Sequence, residues 1–339
     1  MGRKLFLLVD YKGHFGSKYK AIPYRSGFDR SKLVSYFTKA GFDVTFFNPS
    51  DPGFDMLQLK EGTVLYTSAE DKGLFYKRFL SDFIFSLEQA GIRCLPAHRY
   101  LLLHENKVLF EHFRHHVFND QIDGLRSWCF GSFEDFKQHI GEIAFPVVIK
   151  TSEGSMSKGT FLAMGQKRAL RIARRISATP VFKHQLRDFI RGLRHTGYLR
   201  ESWHRKGFVC QQYIPGLKND WKVLIYNEKY YVLRRGIREG DFRASGQGLL
   251  GYEQAPIPGL LDFAGKIFSL LDVPMCSLDI CFDGNRYYLL EAQMLFFGTY
   301  TLEFSEFCFV YDGRNWNRID GRSELEAEYV NSMCMVLNK

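Results

Sequence analysis

The chain has 339 residues, 45% of them hydrophobic and 24% charged, with a formal net charge of +9. That apolar share in a chain of this length builds two or three packed domains and excludes a disordered polymer. No apolar run approaches the ~18–20 residues that span a bilayer, so no membrane partner is expected.

The first hundred residues alternate strand and helix signals. "MGRKLFLLVDY" opens with a short apolar run and no small-residue cleavage site, which reads as a first strand and not as a signal peptide. "DRSKLVSYFTKAG" reads as an amphipathic helix with Asp29 as N-cap and Gly41 just past its end. "FDVTFFN", "TVLYTSA" and "IRCLP" read as further strands, and "KGLFYKRFLSDFIFSLEQAG" as a long helix with Phe75, Phe79, Phe83 and Leu87 at four-residue spacing. This alternation predicts an α/β unit with a parallel, Rossmann-like sheet over residues 1–103.

A second unit, residues 104–208, opens with a helix at "HENKVLFEHFRHH". The strand "FPVVIK", the loop "TSEGSMSKG" and a basic helical stretch follow. From Gln166 to Lys206 twelve lysines and arginines stand against Asp188 and Glu201, a larger surplus than that of the whole chain. Residues 209–339 are read mainly as strands ("WKVLIYN", "KYYVLRRG", "MCSLDICF", "RYYLLEAQ"), with a helix at "GLLDFAGKIFSLLD" and a closing helix at "SELEAEYVNSMCMVLN". Seven scattered cysteines (Cys94, Cys129, Cys210, Cys276, Cys281, Cys308, Cys334), odd in number and without a CxxC pair, suggest a reduced, cytoplasmic setting.

Three stretches carry chemistry. In "SLDICFDGNRYYLLEAQ", Asp283-Gly284-Asn285 signals a turn between two strands. A three-residue loop would set Asp279 opposite Leu289 and diagonal to Glu291, roughly 7–8 Å away, with Gln293 on the same face. Two carboxylates there suit a hard divalent ion; two solvated charges on an exposed sheet are the alternative. In "FPVVIKTSEGSMSKGTFLA", Lys150 ends a strand, and the Gly/Ser loop beyond it leaves backbone N–H groups free to approach phosphate. An unliganded hairpin is the alternative, and the Walker A spacing is absent. In "YYVLRRGIREGDFRASGQG", the arginines Arg234, Arg235, Arg238 and Arg243 suit phosphate or carboxylate, or form a solvated turn.

The order of these blocks, with "ENK" before them and "QQYIPGLKNDWKVLI" between them, resembles the ATP-grasp superfamily over roughly residues 106–301. The branch containing the ribosomal-protein glutamate ligase is most similar, with glutathione synthetase and synapsin more distant. The resemblance implies that the two later units are α+β and clasp ATP. Lys107 and Lys150 would touch ATP phosphates, and residues 154–159, with Gly154, Ser155 and Ser157, would form a flap over them. Gln211, Gln212, Tyr213 and Ile214 would form the adenine hinge. Asp220 and Lys222 resemble an Asp–Arg pair. Arg235 and Arg243 would face the γ-phosphate and an acyl-phosphate. Asp279, Glu291 and Gln293 would bind Mg2+ or Mn2+, Gln293 standing where the family usually has Asn. The implied activity is ADP-forming carboxylate–amine ligation through an acyl-phosphate, with ATP and anionic small-molecule or peptide substrates as partners; a homodimer is compatible. The rival readings are an ATP-grasp kinase acting on a small anionic acceptor and a non-catalytic ATP-binding module.

Three features remain outside that pattern. His112, His115 and His116 are better read as packed or solvated than as a metal site. The basic segment 166–206 suits an anionic substrate better than nucleic acid or a solvated face. Residues 11–27, with Lys12, Lys18, Lys20 and Arg25, form either a loop for an acidic substrate or an ordinary basic loop.

Overall fold

The computed structural model describes residues 2–68, 71, 73–118, 124–154, 159–179, 182–244, 246, 248–255 and 257–338, with the backbone alone at 182–185. Three sheets organise it. In the first, β1 (Arg3–Leu8), α1 (Arg30–Lys39), β2 (Phe42–Phe47), β3 (Gly62–Leu65), α2 (Phe75–Gln89) and β4 (Arg93–Leu95) alternate, and the strands run parallel in the order β2-β1-β3-β4. Strand alternation sends Leu5 and Leu7 toward Leu33 and Phe37 of α1. It sends Phe6 and Leu8 toward Leu80, Ile84 and Leu87 of α2. Asp29 caps α1 by accepting from the Lys32 N–H at 3.1 Å. Gly41, at φ +87, turns the chain into β2.

The buried stripe of α2 is not the four-residue row of Phe75, Phe79, Phe83 and Leu87. It is Lys77, Leu80, Ile84 and Leu87, whereas Phe75 and Phe79 are 72% and 42% exposed. A strict four-residue spacing drifts about 40° per step around a helix of 3.6 residues per turn, so the phenylalanines leave the sheet side.

The chain continues through α3 (His98–Leu103), α4 (Lys107–Val117), β5 (Ser127–Phe130), α5 (Phe133–His139), β6 (Val147–Thr151), β7 (Thr160–Ala163), α6 (Gln166–Ile176), α7 (Phe182–Arg194) and β8 (Phe208–Gln212). The second sheet is antiparallel, in the order β5-β8-β6-β7. Val147, Ile149, Phe208 and Cys210 pack under α5 and α6 through Phe136, Ala169, Ile172 and Ala173. Alternation turns Val148, Lys150 and Gln211 to the other face.

The last stretch holds β9 (Asn219–Tyr226), β10 (Lys229–Gly236), β11 (Leu250–Tyr252), α8 (Leu260–Ser269), β12 (Met275–Phe282), β13 (Tyr287–Gln293), α9 (Tyr300–Phe304), β14 (Phe307–Tyr311), β15 (Trp316–Asp320) and α10 (Leu325–Leu337). It forms a seven-stranded sheet, β13-β12-β9-β10-β14-β15, with β11 on β10. β14 and β15 extend it beyond the strands read from the sequence. One face, with Val223, Ile225, Val232, Leu278 and Ile280, packs on Leu260, Ala264 and Ile267 of α8. The other face is divided. Leu224, Tyr226, Tyr231 and Met275 join a core with Leu5, Leu7 and Tyr329, so the C-terminal helix α10 seals the first sheet against the third. The opposite end of the same face is polar.

Candidate active site

That polar end is set by strand register. On β9, Asp220 and Lys222 share a face with Leu224. Arg235 of β10 stands directly opposite Asp220, and Asp279 of β12 directly opposite Lys222. Asp279 also faces Glu291 of β13, and Ser277 faces Gln293. The intervening loop has four residues, Asp283–Arg286, since Phe282 pairs with Tyr287. Continued regularly, that register would oppose Asp279 to Leu290 and turn Glu291 to the far side. A bulge after Asp279 absorbs one residue and restores Glu291 to the face of Asp279. The two carboxylates are therefore direct cross-strand partners and not the diagonal neighbours expected.

Arg235 joins the acids. Its guanidinium donates to both Asp220 oxygens, Nε at 2.6 Å and Nη2 at 2.8 Å, and Nη2 also meets Asp279 Oδ2 at 2.8 Å. Lys222 Nζ lies 3.8 Å from Asp279 Oδ1. The partner of Asp220 is thus Arg235, not Lys222, because cross-strand register outranks proximity along one strand. Burial raises Asp220 to about 6 against the pull of Arg235. For Asp279, burial pushes the same way but Arg235 and Lys222 outweigh it, holding the carboxyl below its ordinary value. Glu291 pairs with no cation among the described residues, and its Oε1 accepts from Gln293 Nε2 at 3.4 Å.

The facing wall comes from the second sheet and α4. Asn106 caps α4 by accepting from the Leu109 N–H at 3.1 Å. The first helical residue, Lys107, then reaches across to donate to the Gly154 carbonyl. Lys150 Nζ donates to Gln211 Oε1 at 2.7 Å, and burial lowers its pKa. Behind it runs a chain of buried groups that the sequence reading missed. Gln211 Nε2 donates to Glu111 Oε1 at 3.0 Å. Glu111 Oε2 accepts from Arg114 Nε at 2.9 Å and Nη2 at 2.5 Å, and from Ser127 Oγ at 2.6 Å. Glu111 and Arg114 are each 2% exposed. An acid and an arginine three apart on a helix whose neighbours Phe110 and Phe113 are apolar was the available signal.

Between these walls lies a cleft of about 910 Å³ counted to its open mouth. Lys107, Lys150, Gly154, Gln211, Gln212, Tyr213, Ile214, Asp220, Arg243, Asp279 and Glu291 all line it, with Val148, Leu217, Ile237, Phe242 and Leu290 as unforeseen apolar neighbours. Gln293 lines an adjoining cavity together with Glu105, Lys107, Lys150 and Glu291. Arg235 and Lys222 lie behind the lining, held by the acids. Arg243 is gripped by Asp241, at 3.0 Å from Nε and 2.9 Å from Nη2. Ser155 and Ser157 lie outside the described residues. In the hinge, the Gln212 and Tyr213 N–H groups donate to the carbonyls of Arg126 and Pro146, at 2.8 and 3.4 Å. The Ile214 N–H meets no backbone carbonyl among the described residues.

No protein-family model and no curated protein matches the sequence. Solved structures do match. D-cycloserine synthetase DcsG aligns over 98% of this chain and 99% of its own, with 11% identity and a TM-score of 0.56. The macrocyclase MdnC of Microcystis aeruginosa MRC, bound with its precursor peptide MdnA, aligns over 99% and 100%, with 13% identity and a TM-score of 0.52. The ATP-grasp ligase PsnB, complexed with a minimal precursor, aligns over 99% and 100%, with 14% identity and a TM-score of 0.51. The chain has the ATP-grasp fold.

Within the ATP-grasp fold, the donor set at Asp279, Glu291 and Gln293 is all oxygen-bearing and includes a carboxylate with no cation partner. That is the chemistry a hard divalent ion takes. His112, His115 and His116 are exposed, and the described residues contain no cluster of metal-ligating groups of three or more His, Cys, Asp or Glu. None of the seven cysteines is in a disulfide. The loop 11–27 is tied down. Glu303 accepts from the Tyr19 and Lys20 N–H groups at 2.8 and 2.9 Å, Lys20 Nζ donates to the Glu303 carbonyl at 2.8 Å, and Lys18 Nζ pairs with buried Glu326 at 2.8 Å. Lys18 and Lys20 therefore hold the loop to α9 and α10. No helix among the described residues is long and apolar enough to cross a membrane.

Proposed function

We propose that this protein is an ATP-dependent carboxylate–amine ligase that works through an acyl-phosphate and releases ADP and phosphate. The observation that carries this reading is the convergence of Lys107, Lys150, Arg243, Asp279 and Glu291 on one cleft, with the hinge 211–214 on its wall and Arg235 behind Asp279. The ATP-grasp fold of the ligases DcsG, MdnC and PsnB supports it.

In this reading the adenine ring lies between Val148, Ile214 and Leu290, and its edge bonds the free Ile214 N–H. Lys107 and Lys150 hold phosphate oxygens, both now parked on neutral acceptors, Gly154 and Gln211, that a phosphate displaces at little cost. Gly154, where the Gly/Ser loop begins, lines the cleft beside them. Asp279, Glu291 and Gln293 hold Mg2+, which when bound neutralises charge on the transferring phosphoryl group. Arg235, braced by Asp220, and Lys222 keep Asp279 ionised, and Arg243 faces the acyl-phosphate. A substrate carboxylate oxygen attacks the γ-phosphorus as ADP leaves. The amine then attacks the acyl carbon, phosphate departs, and an amide remains. Catalysis rests on positioning and fixed charge, and no side-chain nucleophile is needed. We place the unit boundaries near residue 103 and, because β8 completes the second sheet, after Gln212 and not at 208, and take the acid and amine to be small molecules or peptide groups.

Calorimetric titration with a non-hydrolysable ATP analogue, with and without Mg2+, tests the cleft. Mg2+-dependent binding that Lys150→Ala abolishes is expected, followed by ADP and phosphate release with a matching acid and amine. Binding indifferent to Lys150→Ala, or absent, would refute the assignment.

A further inference from the structure

The segment with the greatest positive charge lies away from the cleft. Neither that cleft nor the three smaller cavities beside Gln293, Met275 and Asn48 include any residue of 166–206. The chain leaves the second sheet after α6 and returns to it. The excursion is closed where the Thr179 N–H donates to the Trp203 carbonyl at 2.8 Å and the Lys206 N–H to the Ser177 carbonyl at 3.0 Å. α7 is carried on this excursion.

One side of α7 is fixed to the returning limb. Asp188 accepts from the Tyr198 hydroxyl and, at 3.0 Å, from the Glu201 N–H. Gly192 faces Arg200 so closely that a Cβ would come within 2.5 Å of its Nε. The opposite side is apolar and open to solvent: Leu186, Phe189, Ile190 and Leu193 are 52%, 47%, 37% and 69% exposed. Their spacing of three, four and seven makes one stripe. Arg187, Arg191 and Arg194, all exposed, run alongside it, and the Arg200 guanidinium sits 4.6 Å over the Phe189 ring. Leu199 and Trp203, on the return, are 90% and 55% exposed. α6 adds Lys167, Arg168, Arg171, Arg174 and Arg175.

An exposed apolar stripe of this kind marks a partner. Nucleic acid would account for the arginines but leave four aliphatic and aromatic side chains in water. An amphipathic acidic peptide lays its apolar face into a groove, and α7 presents a ridge. A second copy would bring the same cations face to face across a two-fold axis. An anionic bilayer accepts a convex apolar ridge between its headgroups and pairs its phosphates with the flanking arginines. We infer that α7 docks the protein on an anionic membrane surface, with Leu186, Phe189, Ile190 and Leu193 inserted and the arginines at headgroup level. The expectation of no membrane partner rested on the lack of a spanning run. A helix of 13 residues is about 20 Å long and lies on a bilayer where it cannot cross one.

The test is sedimentation of the full chain with vesicles of phosphatidylcholine containing about 30% phosphatidylserine, against phosphatidylcholine alone. Association with the anionic vesicles only is expected. Leu186→Glu/Leu193→Glu should lower the partition coefficient more than tenfold with an unchanged thermal unfolding curve. Arg187→Gln should lower it about fivefold, the worth of one basic residue near such a surface. Failure of the wild type to sediment overturns the inference. So does sedimentation that the leucine substitutions leave intact, which would mean charge alone. A dimer that Leu193→Glu dissociates, without vesicle binding, would assign the stripe to a second copy instead. Each outcome is independent of whether the cleft is a ligase site.

Discussion

Glu111 is the residue through which the interior of α4 reaches Lys150, and replacing it separates structure from function. Glu111→Leu alone removes a buried counter-charge of Arg114, which is 2% exposed. Removing one partner of a buried ion pair costs about 3–5 kcal/mol. In Glu111→Leu/Arg114→Met the arginine charge is gone as well, and apolar side chains of similar volume recover most of that loss. Gln211 does not recover. Its Nε2 has lost the acceptor at 3.0 Å that fixed the amide, so the Oε1 that receives Lys150 Nζ is no longer aimed. One such bond is worth about 1 kcal/mol, hence about a fivefold rise in the dissociation constant of the Mg2+–ATP analogue in the double variant. Urea unfolding measures the first quantity and calorimetry the second. If the double variant is stable and binds the analogue as tightly as wild type, the line from Glu111 to Lys150 does not position the lysine.

Three other expectations concern different parts of the molecule. Asp279→Asn and Glu291→Gln should each weaken Mg2+-dependent analogue binding by more than tenfold while sparing stability, since Arg235 keeps Asp220; unchanged calorimetric titrations would remove the metal assignment. His104 is buried, and desolvation followed by the charge of Lys77 lowers its pKa from 6.5 to about 3. The folded ring stays neutral while the unfolded one gains a proton, so this stability is complete above pH 6.5 and drains as pH falls toward 3. Going from pH 7 to pH 5 should cost about 2 kcal/mol in urea unfolding, and His104→Phe should remove that increment. Glu303→Gln should loosen the loop 11–27 by about 1–3 kcal/mol, visible as faster proteolysis there and a lower urea midpoint.

The parallel sheet was legible because its signals are local: continuous apolar runs, an Asp29 cap, a Gly41 stop. The buried face of α2 was not legible, because phenylalanine is hydrophobic wherever it points and only the sheet decides which turn of the helix it covers. β14 and β15 escaped notice because "FCFVY" and "WNRID" carry no common pattern; β15 is an edge strand with mostly exposed side chains. The loop 11–27 shows the limit of reading charge from sequence. Lys18 and Lys20 looked available, yet Glu326 and Glu303, some three hundred residues away, hold them.

The acid face makes the same point about register. Residues 279 and 291 were placed on one face by assuming an odd-numbered loop. The loop is even-numbered, which alone would have separated them, and the bulge after Asp279 reverses the parity. A bulge has no strong sequence signature, since it adds one ordinary residue, here beside Leu290. Its consequence is nonetheless chemical. It makes Asp279 and Glu291 direct partners and leaves Leu290 and Glu291 on the wall of the cleft, while the regular register of β9 with β10 and β12 brings Arg235 and Lys222 to Asp279. Sequence order could nominate these four groups. Only the pairing of β9, β10, β12 and β13 gives Asp279 two cations and, among the described residues, Glu291 none, and that asymmetry is why we propose Glu291 as a metal-binding carboxylate.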